Sequence, residues 1–302
     1  MKKTDHEQNR PIAAATIILA REKAAELQIY LLKRSTQSRF MAGNYVFPGG
    51  VVDTADLNVT LWEKHIDLGM TDLPQRLGGE FSEHDAIAYG VAAIRETFEE
   101  AGVLLAYRED DQPTQLEEIC QLRTTTTALP DGWLQNLVET QPWILSFSRL
   151  YRWSHWITPQ KMKKRFDTRF FVATMPADQV CRPDNHETTH GVWISPQNGL
   201  AGNQSGDIPL SPPTVATLHE LLSFRSVGDL IADARQRPWG EALVPRLVPV
   251  ENEVVIVEPW DPLYHQKEIQ FISDELAANV VDVGQSFSRL WHHNSIWTPV
   301  RA

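Results

Sequence analysis

Hydrophobic and polar positions follow two different periods along the chain, and together they outline an α/β protein. Apolar residues run almost unbroken over 11–20 and again over Gln28–Lys33, with polar residues between them at 21–26. Two such runs joined by a short polar segment predict a β-hairpin. Stretches rich in β-branched and aromatic residues predict three further strands, at 165–176, 190–195 and 253–262, the last ending at a turn.

The helical period is clearest between residues 82 and 102. Ser82 to Asp85 form a capping-box pattern that should begin a helix, and Gly102 should follow its last turn. Val91, Ile94, Phe98 and Ala101 then form an apolar, core-facing stripe, while Glu96, Glu99 and Glu100 fall within an arc of about 100° on the opposite side. Two carboxylates ~5 Å apart repel by roughly 3 kcal/mol at an effective dielectric constant of 20, so a bound divalent cation would stabilise this face.

The remaining pattern divides the chain into two parts. Residues 57–81 are irregular, with a short helix predicted at Leu57–Met70 and a loop at 77–79. Further helices are predicted after Pro212–Pro213 and over Val227–Arg235. A shift toward Asn, Gly, Ser and Pro near 197–212 separates a mixed α/β domain from a more helical part. We therefore predict a domain at 10–200, containing an insertion at 57–81, and a mainly helical C-terminal extension at 201–302.

Composition narrows the classes of function. The chain has 302 residues and a formal net charge of −11, which argues against a partner that is a nucleic acid or an anionic membrane surface. No apolar run approaches 18 residues, so no membrane span is expected. Acidic residues near the N-terminus and charged residues at 21–23 argue against a signal peptide. With only two cysteines, Cys120 and Cys181, a reducing cytoplasmic location is expected.

One motif suggests zinc chemistry. The segment His186-Glu187-Thr188-Thr189-His190 matches the H-E-x-x-H pattern of zinc peptidases, and Glu220 is an available third ligand. That chemistry needs a helix, because helical spacing brings both imidazoles to one metal ion. Pro183 before the motif, two β-branched threonines within it and Gly191 after it favour a loop that enters a strand instead.

A second motif points to a known family. The segment "RETFEEAGV" (95–103) resembles the distal half of the Nudix box, with Thr97 where an aliphatic residue is usual. "FPGGVVDTAD" (47–56) is similar to the proximal half, with Asp56 in place of Glu. Since 38 residues separate Asp56 from Arg95, the box is split by an insertion. The chain thereby resembles the peroxisomal-type coenzyme A diphosphatase branch of the Nudix hydrolases. Segments matching that branch are scattered from about residue 12 to about residue 264, among them "WITP", "RFDTRFF", "SPPT" and "PWDP".

The resemblance implies a fold and a chemistry. The fold would be a Nudix α/β/α sandwich with a mixed sheet, and the reaction a metal-dependent hydrolysis of a diphosphate. Mg²⁺ or Mn²⁺ would be bound by Glu96, Glu99, Glu100 and the carbonyl of Gly49, while Arg95 would support the carboxylates. The general base is open between Glu96, Glu99 and Glu187.

A further segment suggests the substrate. Arg34, Arg39 and Gly43 precede "FPGG" at regular spacing, which resembles the signature of Nudix enzymes that cleave coenzyme A. The resemblance implies substrate contacts from these three residues, Phe47 and Gly50. Guanidinium groups bind phosphate through two hydrogen bonds, so the arginines suit the 3′-phosphate of coenzyme A.

The sequence therefore predicts a Nudix hydrolase that cleaves coenzyme A or acyl-CoA to 3′,5′-ADP and 4′-phosphopantetheine or its acyl form. An ADP-ribose or nucleotide-sugar diphosphatase is the alternative of the same class. A zinc peptidase and a catalytically silent Nudix-fold binding module are alternatives of other classes. The expected partner is a small-molecule diphosphate, and a homodimer is left open.

Overall fold

The N-terminal strand forms the axis of the main sheet. The computed structural model describes residues 10–38, 41–79, 81–110, 119–121, 123 and 129–302. Within this part of the chain the main sheet has seven strands: β1 (Ile12–Lys23), β2 (Glu26–Arg34), β3 (Tyr45–Val46), β4 (Gly49–Val51), β7 (Tyr151–Ile157), β8 (Phe166–Thr174) and β9 (Thr188–Ile194). The order β3-β2-β1-β8-β7 is extended by β4 beside β1 and by β9 beside β2.

The predicted hairpin at the N-terminus is confirmed, although its turn is shorter than expected. β1 and β2 pair antiparallel up to Lys23 and Glu26, so only Ala24 and Ala25 form the turn. Both alanines have positive φ values, 54° and 59°. Two positive φ values are typical of a type I′ hairpin turn, which usually contains Asn or Gly. Because alanine is unusual at these two positions, the sequence carries no local signal for the turn, and the prediction made it too long.

Most of the described helices pack on one of the two faces of the main sheet, whereas the last packs against strands near the C-terminus. The helices are α1 (Val59–Trp62), α2 (Leu73–Arg76), α3 (Glu83–Ala101), α4 (Trp133–Thr140), α5 (Pro196–Ser205), α6 (Pro212–Leu221), α7 (Val227–Ala234) and α8 (Ser273–Ala278). α3 packs on one face, where Ile17 and Leu19 of β1 join its apolar stripe in one core cluster. On the other face Ile18 of β1 packs with Leu218 of α6 and Leu230 of α7. The predicted α/β/α arrangement with a mixed sheet is therefore confirmed.

The insertion contributes to the core of the domain. Trp62 at the end of α1 is 1% exposed, and Leu73 and Leu77 around α2 are fully buried beside α3. The predicted helix at 57–70 is reduced to one turn at Val59–Trp62, preceded by a 3₁₀ turn at Ala55–Leu57. A segment that buries three large apolar side chains acts as part of the fold.

The C-terminal extension is not mainly helical, and this part of the prediction is wrong. α6, α7 and the strand at Glu253–Val257 are confirmed, but a four-stranded antiparallel sheet also forms. Its strands, in spatial order, are β10 (Arg246–Val250), β11 (Glu253–Val257), β12 (Arg289–His293) and β13 (Ile296–Val300). Asn294 and Ser295 have positive φ values and connect β12 to β13. The pattern "WHHNSIWT" carries this hairpin signal, because an Asn-containing pair is flanked by aromatic and β-branched residues.

Two short strands lie outside both larger sheets. β5 (Ala106–Arg108) and β6 (Trp143–Leu145) form a separate antiparallel pair after α3. Among the described helices none combines the length and the apolar character that crossing a bilayer would require.

Candidate active site

The helix that carries the acidic residues begins and ends where the sequence predicts. The Ser82 hydroxyl accepts a hydrogen bond from the Asp85 backbone N–H at 3.1 Å, and Gly102 after the helix has a left-handed φ of 71°. The apolar stripe of α3 is fully buried, as expected. Thr97 is also buried, and its hydroxyl donates to the Ala93 carbonyl at 2.7 Å. This internal hydrogen bond explains how a polar residue occupies a position that is usually aliphatic.

Arg95 joins the two halves of the split motif. Its Nε and Nη2 atoms donate to the Asp56 carboxylate at 3.0 and 2.9 Å, and Nη2 also donates to the Val51 carbonyl at 2.8 Å. Arg95 is 5% exposed and Asp56 only 1%. Two buried opposite charges with this many hydrogen bonds satisfy each other. The two halves of the box are therefore in contact despite the insertion between them.

The same guanidinium holds two glutamates of the acidic face. Arg95 Nη1 donates to Glu96 Oε1 at 3.0 Å and to Glu99 Oε2 at 2.9 Å. Burial raises the pKa of Glu96 to about 8, and it also raises the pKa of Glu99, against the opposing effect of Arg95 on both. Arg95 thus supports the carboxylates, and the arrangement concentrates acidic groups that are costly to charge without a cation.

Two adjacent glycines allow the backbone to approach the acidic face. A Cβ atom on Gly50 would lie 2.4 Å from the Glu96 carboxyl carbon, and one on Gly49 would lie 2.3 Å from the Ala15 carbonyl oxygen. Gly49 N–H donates to Glu100 Oε2 at 2.9 Å. Glu100 is 5% exposed, and its burial beside Glu96 raises its pKa well above the ordinary value. Glycine is required at both positions because any side chain would collide with the site or the sheet.

Glu187 and Arg34 lie close enough to act on the glutamates electrostatically. The negative charge of Glu187 contributes to the raised pKa values of Glu96 and Glu100, and the positive charge of Arg34 lowers that of Glu100. Glu187 is exposed, and its carbonyl accepts a hydrogen bond from Ser35 N–H at 2.9 Å. The start of β9 is thereby attached to the end of β2, where Arg34 lies.

The residues predicted to bind substrate lie in different environments, and one of them is buried in the core. Gly43 has a φ of 74°, and its N–H donates to the Arg34 carbonyl at 3.2 Å, so it supports the segment after β2. Phe47 is 3% exposed and packs edge-to-face on Phe170, with ring centroids 6.2 Å apart. Phe47 is therefore a core residue, which contradicts its prediction as a substrate contact. Arg39 lies outside the described residues.

The H-E-x-x-H segment is not helical. His186 and Glu187 lie in a turn and Thr188 begins β9, which confirms the interpretation as a loop entering a strand. Asp184 accepts the backbone N–H groups of Glu187 and Thr188 at 3.0 and 2.9 Å. Residues of a strand rise about 3.3 Å each, against about 1.5 Å in a helix, so His186 and His190 are too far apart for the arrangement of a zinc-binding helix.

Two residues that sequence reasoning missed hold the C-terminal end of α3. Trp133 of α4 donates from its indole Nε1 to Glu99 Oε1 at 2.5 Å, and its ring lies 5.0 Å from that of Phe98. Arg123 donates to the carbonyls of Glu99 and Glu100, both at 2.9 Å, which satisfies the free end of the helix. Neither residue belongs to a local motif, so nothing in the sequence near the box indicates them.

The donor set fits a divalent cation that keeps part of its water shell. All three glutamates offer oxygen, the ligand that Mg²⁺ and Mn²⁺ prefer. Across the ranges that the structure describes, no three acidic, histidine or cysteine side chains converge into a complete metal cage. Mg²⁺ is commonly bound through one or two carboxylates together with waters and substrate phosphates, so such a cage is not needed. Glu96 and Glu100 are the pair whose mutual repulsion a cation would remove.

Comparison with known proteins agrees with this geometry. A family model described as the NUDT19 Nudix domain matches residues 11–221, which extends beyond the domain boundary predicted at residue 200. The acyl-coenzyme A diphosphatase NUDT19 of Xenopus laevis is 26% identical, over 88% of this chain and 80% of its own length. The human protein of that name is also 26% identical, over 88% of this chain and 81% of its own.

Solved structures show the same fold. A Nudix hydrolase from Alicyclobacillus acidocaldarius superposes with a TM-score of 0.60 at 23% identity, covering 76% of this chain and 99% of its own. The family match spans the split box, the sheet beside it and the loop that carries Glu187. The chain therefore belongs to the NUDT19 Nudix domain family of Nudix hydrolases.

Proposed function

We propose that the protein hydrolyses the diphosphate of coenzyme A or acyl-CoA with the help of Mg²⁺ or Mn²⁺. The products would be 3′,5′-ADP and 4′-phosphopantetheine or its acyl form. The observation that carries this proposal is the buried Asp56–Arg95 pair, which closes the split box, while Arg95 also holds Glu96 and Glu99. Glu96 and Glu100 then lie beside Gly50 and Gly49. The relatives named acyl-coenzyme A diphosphatase support the choice of substrate.

Within this proposal, Glu96 and Glu100 are the principal residues that would hold the metal ion, with Glu99 and the Gly49 carbonyl as the further predicted ligands. A bound divalent cation would polarise the phosphate oxygens and lower the pKa of an attacking water. Arg95 orients Glu96 and Glu99 through the two hydrogen bonds from its Nη1 atom.

Glu187 is the general base that the contacts favour among the three predicted candidates. Both carboxylate oxygens of Glu99 accept hydrogen bonds, one from Arg95 and one from Trp133. Glu96 is bound to Arg95 and faces Gly50. The Glu187 side chain is exposed and has no such contact with another described residue. An exposed carboxylate near the metal-binding glutamates is suited to accept a proton from water.

The proposal also includes the cellular compartment, the arginine contacts to substrate and the oligomeric state. Cys120 and Cys181 are both free thiols, which supports the reducing cytoplasm predicted from the sequence. Arg34, beside Glu100, is suited to bind a phosphate of the substrate. Arg39 and a homodimer stay predictions.

A panel of diphosphates tests the proposal. Coenzyme A, acyl-CoA, ADP-ribose and a nucleotide sugar are incubated with Mg²⁺ or Mn²⁺ in ¹⁸O-water, and products are identified by mass spectrometry. We expect coenzyme A to give 3′,5′-ADP and 4′-phosphopantetheine, with the label in a single product, because one water attacks one phosphorus. If coenzyme A is inert while ADP-ribose is cleaved, the substrate assignment is wrong although the family assignment stands.

The same assay excludes the zinc alternative. The double variant His186→Ala/His190→Ala should retain its diphosphatase activity, and purified protein should contain less than one zinc per chain. Tightly bound zinc that disappears in this variant, together with peptide cleavage, would contradict the proposal.

A further inference from the structure

A run of basic residues lies in the loop that joins β7 to β8. Lys161, Lys163, Lys164 and Arg165 occupy four of five consecutive positions in a chain with a formal net charge of −11. We call residues 158–165 the basic loop. The protein as a whole repels an anionic substrate, so a local concentration of positive charge near the site changes the rate and strength of its binding.

The basic loop is held on a fixed base. Thr158 N–H donates to the Phe166 carbonyl and Phe166 N–H donates to the Thr158 hydroxyl, both at 3.0 Å. Arg165 Nε donates to the Thr158 carbonyl at the same distance. These contacts close the hairpin, so the lysines between them project from an anchored turn.

The three lysines present their charge to solvent. Lys161, Lys163 and Lys164 are all exposed, and no ion pair joins any of them to another residue in the described part of the chain. Lys164 Nζ lies 5.0 Å from the ring centroid of Phe166, which keeps this side chain beside the start of β8. Since acidic neighbours do not neutralise them, their field extends outward.

The sheet brings the basic loop to the same end as the acidic face. The Arg165 carbonyl accepts Ile12 N–H at 2.9 Å, and Phe166 lies opposite Ile12 in the parallel pair of β1 and β8. Gly50 lies opposite Ala15, three positions further along β1. Strand spacings place the loop about 10 Å along β1 and about 10 Å across the sheet from Gly50. This separation is shorter than the screening length at low ionic strength, so the field of the loop acts on a phosphate group of a substrate at Gly50.

A groove continues from the basic loop to the C-terminal extension. It has a volume of about 590 Å³, and its lining includes Gln160 and Lys161 of the basic loop and Lys267 and Glu268 of the C-terminal extension. Lys267 adds positive charge and Glu268 contributes one acid. This volume lies within the usual range for small-molecule sites.

Arg34 lies at the end of β2 and is not part of the basic loop. Its Nε and Nη2 atoms donate to the Ser38 hydroxyl at 3.2 and 3.1 Å, and its charge acts on Glu100. This places Arg34 beside the carboxylates that would bind the metal and hence beside the diphosphate. A phosphate elsewhere on the substrate needs other positive groups.

We propose that the basic loop attracts the 3′-phosphate of a coenzyme A substrate and thereby sets the preference for coenzyme A over dephospho-coenzyme A. This inference rests on the proposed function. The attraction is electrostatic and acts over a distance comparable to the screening length, which is about 30 Å at 0.01 M ionic strength and about 8 Å at 0.15 M. Its strength therefore falls as salt is added.

The test compares two triple variants that remove the same charge. Lys161→Gln/Lys163→Gln/Lys164→Gln removes the lysines and keeps Arg165, which holds the turn. Lys23→Gln/Lys64→Gln/Arg225→Gln removes three exposed charges elsewhere. Kinetics are measured on coenzyme A and dephospho-coenzyme A at 0.01 M and 0.5 M ionic strength. Calorimetry measures the binding of 3′,5′-ADP and of AMP, which lacks the 3′-phosphate.

We expect the loop variant to raise KM for coenzyme A roughly 10-fold at low salt, with kcat unchanged and a smaller effect on dephospho-coenzyme A. The difference from wild type should shrink at 0.5 M salt. The Kd for 3′,5′-ADP should rise in the same variant while that for AMP stays constant, and the control variant should match wild type in each assay.

Three results would overturn the inference. The first is a loop variant that behaves like the control, and the second is an equal effect on ligands with and without the 3′-phosphate. The third is a preference for coenzyme A that Arg39→Ala alone abolishes while the loop variant keeps it. The binding measurements separate this inference from the proposed function. If wild type does not cleave coenzyme A, the proposed function fails, whereas the preference for 3′,5′-ADP over AMP still decides the role of the loop.

Discussion

The buried carboxylates of the Nudix domain have the opposite environment to that of Glu258 in the C-terminal extension. In the Nudix domain, Asp56 accepts hydrogen bonds from Arg95 and from Asp53 N–H, and Glu100 accepts one from Gly49 N–H. In the extension, Glu258 follows β11, is fully buried, and has no hydrogen-bond partner on either oxygen among the described residues. Burial raises the pKa of Glu258 to about 8.

This difference shows that burying a carboxylate does not by itself make a cation-binding site. Removing a carboxylate from water disfavours its charged form, and only a positive group or N–H donors compensate for that cost. Asp56 and Glu100 have such groups, so the protein holds acidic residues together where a cation can bind. Glu258 has none, and it is a neutral acid over most of the physiological pH range.

The largest expected effect is the loss of activity from Glu99→Gln or Glu100→Gln. The amide that replaces the Glu100 carboxylate retains an oxygen that can accept from Gly49 N–H, and glutamine has nearly the helix propensity of glutamate, so the fold should persist. Turnover with Mg²⁺ should fall by several orders of magnitude because metal binding weakens. Steady-state kinetics measure the effect, and Glu83→Gln, at an exposed position of the same helix, is the matched control. Near-normal Mg²⁺-dependent activity in both site variants would contradict the assignment.

A second effect separates stability from activity in the same region. Arg95→Gln leaves the Asp56 carboxylate buried without its charged partner, and the free energy of unfolding should fall by about 3–5 kcal/mol. Urea denaturation measures this change. The double variant Arg95→Gln/Asp56→Asn should recover part of the loss, since it removes the uncompensated charge. If the double variant is as unstable as Arg95→Gln, the pair does not couple and the closure of the box has another cause.

The third prediction concerns the pH dependence that the unpaired acid of the extension gives to stability. With a pKa of about 8 when folded and an ordinary value of 4.5 when unfolded, Glu258 retains its proton in the folded state over this range. The folded protein then binds more protons, so the free energy of unfolding falls as pH rises from 4.5 to about 8, by up to about 1.4 kcal/mol per pH unit.

Glu258→Gln should remove the Glu258 contribution to this slope, while those of Glu96 and Glu100 persist. The variant should therefore be more stable than wild type at pH 8, with little difference at pH 4.5. Denaturation midpoints at the two pH values measure the change, and the exposed Glu241→Gln is the control. An unchanged slope would mean that Glu258 is already ionised in the folded protein.

Local sequence patterns predicted the helix that carries the site, but they did not predict its contacts with distant residues. Ser82 and Gly102 marked both ends of α3 because capping depends on residues a few positions apart. The Asp56–Arg95 contact crosses an insertion, so no local pattern predicted it. Trp133 reaches Glu99 from a separate helix, and this contact depends on tertiary packing that no short motif records.

Local sequence patterns also failed to predict most strands of the C-terminal sheet. The strand at β11 was predicted from a continuous run of valine and isoleucine, whereas β10 contains Pro249 and β12 contains two histidines. Strand formation there depends on pairing with neighbours more than on local preference. Phe47 was assigned to the substrate from its motif alone, since the sequence cannot tell which face of the sheet buries a side chain.

The parallel pairing of β1 with β8 has a consequence for synthesis of the chain. Ile12 and Phe166 are more than 150 positions apart, so the first strand waits for its partner while the ribosome makes the segment between them. At roughly 5–20 residues per second, this delay is about 10–30 s. During that time the edge of β1 that later pairs with β8 has no partner, because β2 and β4 pair with its other edge. Nascent chains shorter than about 170 residues are therefore the stage at which chaperones would be needed most.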